Sequence, residues 1–152
     1  MIHIYTDGAA QGNPGPGGYG VILKYNQHTK EISEGFRLTT NNRMELLAVI
    51  AGLEAIKKPG IPVTVHSDSK YVVEAVEQGW IWKWEKKNFA KKANPDLWKR
   101  FIPLYYRYKP KFKWVKGHAG HPENERCDVL AVDAAQSPDV GVDSWYENNR
   151  EE

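Results

Sequence analysis

The chain has a single cysteine, Cys127, in 152 residues. That excludes an internal disulfide framework and fits a reducing compartment. No stretch approaches the ~20 apolar residues of a membrane-spanning helix. The basic-then-apolar opening of a secretory signal is missing as well. Internal repeats and low-complexity linkers are absent. Excess charge is scarce: 21 Lys and Arg against 19 Asp and Glu leave +2. The expectation is one cytoplasmic domain without membrane contact, long enough to bury a core.

The charge that is present lies unevenly. Residues 83–116 hold 12 Lys and Arg against Glu85 and Asp96, a local charge of +10 that leaves −8 for the rest. A basic segment with interleaved aromatics suits a polyanion, and the acids elsewhere have another task.

Alternation predicts strands over 2–7, 19–25, 31–38, 61–67 and 111–117. Apolar spacing predicts helices over 43–58, 69–79, 80–87 and 124–136, and another from Pro95 that Pro103 bends or ends. Asn41 or Asn42 caps the first helix, and Pro59-Gly60 stops it. The acidic tail after Pro138 is expected to be loosely held. The order is that of an α/β protein with a five-stranded mixed sheet and helices packed on it.

Four acids fall at element ends. Asp7 closes the first strand in "IYTDGAAQGNPGPGG", Glu45 lies in the first turn of the long helix, Asp68 closes strand four, and Asp128 starts the last helix. Glu45 and Asp68 have a plain structural reading, as partners of helix dipoles worth ~0.3–1 kcal/mol each. Asp7 begins no helix, so that reading fails for it. If the four converge they repel one another unless a cation neutralises them, and oxygen ligands select hard ions such as Mg²⁺ or Mn²⁺. His118, His121 and Cys127 lack zinc-site spacing. Cys127 is expected to be a buried or half-buried thiol.

The blocks "YTDGAAQGNPGPGGYG", "TTNNRMELLAVIAGLEA", "HSDSKYV" and "WVKGHAGHPENERCDVLA" together resemble the signature of type 1 ribonuclease H in its bacterial form. The resemblance runs from about residue 2 to residue 136. It implies the ribonuclease H-like fold, with helices on both faces of the sheet and a catalytic domain over 1–138 ahead of the tail 139–152. It implies an endonuclease that cuts the RNA strand of RNA–DNA hybrids, leaving 5′-phosphate and 3′-hydroxyl ends. Asp7, Glu45, Asp68 and Asp128 become the catalytic acids and the ligands of two Mg²⁺ ions, with Mn²⁺ as substitute, and Asp7 bridges the two. His118 becomes a histidine assisting proton transfer or product release.

By the same resemblance Gly8, Ala10, Asn13, Asn41, Asn42 and Lys70 line the RNA strand, and Asn13 with Thr40 binds a DNA phosphate. Small residues after Asp7 let the hybrid backbone approach. Trp80, Lys83, Trp84, Lys86, Lys87 and Phe89 form a basic protrusion on the DNA strand, with Trp82 left for packing. Two departures stand out. Lys70 replaces a common glutamine, turning a base-edge contact electrostatic. The protrusion is short and carries Glu85 where a basic residue is common. The implied partner is the hybrid, bound by a monomer; a single-stranded-DNA-binding or replication partner is not legible. The competing classes are a non-catalytic hybrid-binding module, which would have lost an acid, and a resolvase- or exonuclease-like nuclease, which would lack "TTNNRMEL".

Overall fold

The computed structural model describes residues 1–90, 92–116 and 121–150. Its elements are β1 (Ile2–Ala10), β2 (Gly15–Tyr25), β3 (His28–Thr39), α1 (Asn41–Glu54), β4 (Val63–Ser67), α2 (Lys70–Glu77), α3 (Trp80–Lys86), α4 (Pro95–Tyr108), β5 (Lys111–Trp114), α5 (Pro122–Gln136) and α6 (Ser144–Asn149). The strands form one sheet in the order β3-β2-β1-β4-β5. β1 pairs antiparallel with β2, and β2 with β3; β1 pairs parallel with β4, and β4 with β5. This is the expected five-stranded mixed sheet. No described helix is long and apolar enough to cross a membrane.

The pleat of β2 separates two helical layers. A Cβ built on Gly52 of α1 would meet Ile4 and Val21, so those side chains face α1. A Cβ on Gly18 or Gly20 would strike the backbone of α5, and so would one on Gly35. Gly20 and Val21 are neighbours in a strand and point to opposite faces. Helices therefore cover both faces. Most of the glycine-rich stretch between the strands expected over 2–7 and 19–25 is itself strand, and the missing side chain of Gly18 admits α5.

Other boundaries shift for local reasons. Thr40, rather than Asn41 or Asn42, caps α1: its side chain accepts the Arg43 N–H. α4 continues through Pro103, whose ring lies exposed where the interrupted hydrogen bond meets solvent. Phe89 does not face outward as the protrusion reading expects; it is 5% exposed and joins the core with Ile81 and Trp98. Trp82 packs on Tyr105, ring centroids 5.0 Å apart.

The tail corrects its expectation too. Gly141 exchanges backbone hydrogen bonds with Gly35 and Arg37 on β3, and Glu147 of α6 accepts two from the Arg37 guanidinium. Asp143 is buried against Arg43, with Nε–Oδ2 at 2.7 Å and Nη2–Oδ1 at 3.0 Å. Asp96 at the start of α4 grips the other edge of the guanidinium at 2.8 and 2.9 Å. Thr39 donates to Asp143, and the Trp145 ring lies 4.9 Å from the guanidinium. Nearly all of the buried cation's hydrogens are thereby matched, as burial of a charge requires. Acidity made the tail read as loosely held, but two of its carboxylates hold arginines. Asp143→Ala strands part of a buried charge and is expected to lower unfolding free energy by about 3 kcal/mol, the low end for a broken buried pair because Asp96 remains. Urea denaturation of the two proteins checks it, and a loss within ~0.5 kcal/mol, as at an ordinary surface position, counts against the clamp.

Candidate active site

Asp7 lies near the end of β1, and Gly8 donates its backbone N–H to Asp7 Oδ1 at 2.9 Å. Gly8 is buried, and a Cβ there would collide with the backbone of Met44 and Glu45. Its small size thus serves the approach of α1, where the sequence reading gave it to the hybrid. That approach brings Glu45 to Asp7. Asp68 arrives from the turn after β4, whose Ser67 Oγ accepts the Ser69 N–H at 3.1 Å.

Carboxylate oxygens of Asp7, Glu45 and Asp68 lie within 4.8 Å of one another. At an effective dielectric constant of about 20, two unit charges at that spacing repel by about 3.5 kcal/mol. Helix dipoles do not offset this. α1 begins at Asn41, so Glu45 sits in its second turn, and Asp68 precedes the Ser69 cap of α2. Neither helix has an acid in its first turn, where the dipole acts. Burial, then Asp7 and Asp68, holds the Glu45 carboxyl well above the usual carboxylate range. Its Oε2 is buried without a hydrogen-bond partner among the described residues. Hard oxygen donors, mutual repulsion and an orphaned oxygen together fit a divalent cation.

Asp128 does not join the three at that distance. It is half-buried on α5 beside Cys127, which takes the sheet-facing position and donates its thiol hydrogen to Tyr5 O at 3.3 Å. Burial, then Asp7, pushes the Cys127 thiol up to about 12, which leaves it inert. His118 lies outside the described residues. His121 is exposed at the cap of α5.

The expected substrate residues divide. Asn41 Oδ1 accepts the Ala10 N–H at 2.6 Å, and Asn13 Oδ1 accepts the Asn41 N–H at 3.0 Å. This ties the β1–β2 turn to the start of α1. An open cleft of about 460 Å³ beside it is lined by Asn13, Thr40, Asn42 and Arg150. On α3, Trp80 is 39% exposed, and Lys83, Lys86 and Lys87 are exposed. Trp84 instead packs edge-on against buried Trp98, with Lys92 Nζ 5.3 Å from its ring. Lys70 is exposed at the start of α2 and lies over Trp114, a residue that the sequence reading passed over. Its signal was its place at the head of the fourth block, "WVKGHAGHPENERCDVLA".

The RNase H family description matches residues 1–136. The chain belongs to the ribonuclease H family. A ribonuclease H of Desulforamulus reducens is 56% identical over 147 residues, 93% of this chain and 92% of that protein. One of Syntrophus aciditrophicus is 55% identical, covering 96% of this chain and 87% of its own length. Among solved structures, LC9-RNase H1, a type 1 RNase H with the type 2 active-site motif, matches with a TM-score of 0.78 at 31% identity, over 88% of this chain and 71% of its own. LC11-RNase H1 in complex with an RNA/DNA hybrid matches with 0.68 at 29%, over 89% and 96%. The family uses divalent metal ions, and the acid cluster is a group that could hold one.

The raised Glu45 carboxyl gives a test without substrate. At low pH both folded and unfolded chains carry it protonated, so it has no effect. As pH rises past about 4.3 the unfolded chain ionises first, and the metal-free folded protein loses stability. Glu45→Gln is therefore expected to melt higher than the parent in EDTA near pH 8 and to converge with it near pH 4. Thermal unfolding across that range decides it; equal melting at the alkaline end would mean that the carboxylates do not oppose folding.

Proposed function

We propose that the protein hydrolyses the RNA strand of RNA–DNA hybrids endonucleolytically, leaving 5′-phosphate and 3′-hydroxyl ends. The observation that carries this reading is the cluster of Asp7, Glu45 and Asp68, with the buried Oε2 of Glu45 unpartnered among the described residues. In this reading those three acids and Asp128 would hold two Mg²⁺ ions, with Mn²⁺ as a substitute. When bound, such ions polarise the scissile phosphate, lower the pKa of the attacking water and neutralise the leaving oxygen.

The chain's own groups do the rest. Asp7 is set by the Gly8 N–H and by a rigid strand, so its carboxylate needs little reorganisation. His118 takes or returns a proton, or speeds release of the product. Gly8, Ala10, Asn13, Asn41, Asn42 and Lys70 follow the RNA strand; the linked Asn13–Asn41–Ala10 hydrogen bonds support a preformed surface there. Asn13 and Thr40, with Arg150 across their cleft, take a DNA phosphate. Trp80, Lys83, Lys86 and Lys87 grip the DNA strand farther along, and Trp84 contributes through the Lys92 that covers it. Residues 1–138 carry the acids of the catalytic domain of a monomer, and the tail packs on it and adds Arg150 to the cleft. The buried Cys127 supports a reducing, cytoplasmic setting.

The test is cleavage of an end-labelled RNA–DNA hybrid in Mg²⁺ beside single-stranded RNA, duplex RNA and duplex DNA. Only the hybrid's RNA strand is expected to be cut, and EDTA stops it. Asp7→Asn is expected to lose at least about 100-fold in rate, a few kcal/mol of charge stabilisation, while still binding hybrid. Cutting of duplex DNA, or equal rates for variant and parent, would overturn the reading.

A further inference from the structure

Lys70, which the sequence reading set apart in "HSDSKYV", has an unexpected neighbour in the structure. Lys70 Nζ lies 5.2 Å from the centroid of the Trp114 ring, within cation–π range. Trp114 is 42% exposed at the end of the edge strand β5. Its place is fixed twice. Ser67 on β4 pairs in register with it, and its indole Nε1 donates to the backbone oxygen of Asp68 at 3.3 Å. The Val115 N–H donates to Ser67 O at 2.9 Å, which closes the same corner. One aromatic ring therefore joins the main chain of a cluster acid to a lysine two residues farther on.

A free lysine carries four rotatable bonds and loses their entropy on meeting a phosphate. A lysine already resting on a fixed ring loses less. The acids at Asp7, Glu45 and Asp68 would also draw an unrestrained ammonium toward themselves. The ring offers a competing seat at the rim.

We infer that Trp114 is a positioning residue: its ring holds the Lys70 ammonium at the lip of the acid cluster, where the lysine meets a backbone phosphate of the bound nucleic acid. The inference rests on the hybrid-nuclease reading above and adds to it the residue that orients the contact. Trp114 does not touch the reacting atoms. Its loss acts on substrate binding and on salt dependence, and leaves the chemical step alone.

The experiment compares the parent with Trp114→Leu, Trp114→Phe, Lys70→Gln and the Leu/Gln double variant. Binding of a labelled RNA–DNA hybrid is followed by anisotropy in Ca²⁺, and cleavage kinetics in Mg²⁺, from about 25 to 200 mM NaCl, where phosphate contacts are strongly salt-dependent. Thermal melts confirm that each variant is folded. Trp114→Leu is expected to weaken binding about 2- to 5-fold and to raise KM alike, with kcat within about 2-fold. The slope of log Kd against log salt should flatten by up to about 0.9, the share of one phosphate. Lys70→Gln should flatten it equally, the double variant should be no worse than Lys70→Gln, and Trp114→Phe should recover most of the slope.

A parent-like slope in Trp114→Leu beside a flattened one in Lys70→Gln overturns the inference, because the lysine then acts without the ring. Losses that add in the double variant overturn it as well. A parent that binds the hybrid and does not cut it in Mg²⁺ removes the hybrid-nuclease reading, and this inference with it. A parent that cuts hybrid while all four variants match it removes the inference alone.

Discussion

The close contact between Gly8 and the backbone of Met44 and Glu45 decides where the acid cluster of this protein forms. Any side chain at Gly8 would push α1 off the end of β1, and Glu45 would leave Asp7. Repulsion between carboxylates works in the same direction, toward separation. The acids stay together because backbone packing, buried apolar residues of α1 and the turn after β4 are together stronger than that repulsion. A site built in this way is strained in electrostatics but not in geometry. A divalent cation bound there would offset the repulsion between the acids.

The far end of the same helix start is held by the Arg43 clamp. Arg43 precedes Glu45 by two residues, and its guanidinium collects Asp143 from the tail and Asp96 from α4. Burial alone would lower its affinity for a proton, but the two carboxylates win and keep it cationic. Tail, α4 and β3 thus converge on the first turns of α1, opposite the side that meets Asp7. Fixed on both sides, α1 presents Glu45 and Asn41 as parts of one rigid surface. Preorganised surfaces of this kind are what positioning of a phosphodiester requires.

Much of this was legible in the residues, for physical reasons that differ between elements. Strand alternation in 2–7 and the apolar spacing of 43–58 come from local periodicity, and both elements are present with shifted ends. The four acids stood out because sites in an α/β sheet collect where strand ends meet helix starts. Three of them meet in space, and the helix-dipole alternative weakens because Glu45 lies one turn deeper than the sequence suggested. What escaped is long-range. Nothing in the local sequence shows that Gly18, Gly20 and Gly35 are there to admit α5, which arrives from more than 85 residues later in the chain. Asp143 looks solvated until Arg43, 100 residues earlier, is seen to need it. Phe89 and Trp84 look like nucleic-acid contacts in a basic run, yet the core beneath α3 claims them. Composition cannot say which side of a short helix faces inward; Trp98 and Ile81 decide that.

The account stands on a divalent-cation site made by the convergence of acids. The most direct measurement is calorimetric titration of Mg²⁺ into the substrate-free protein beside Asp68→Asn. The account predicts saturable binding to the parent and clearly weaker binding to the variant, since one of the three converging oxygen donors loses its charge. Binding of equal strength to both proteins, or none to the parent, would contradict it.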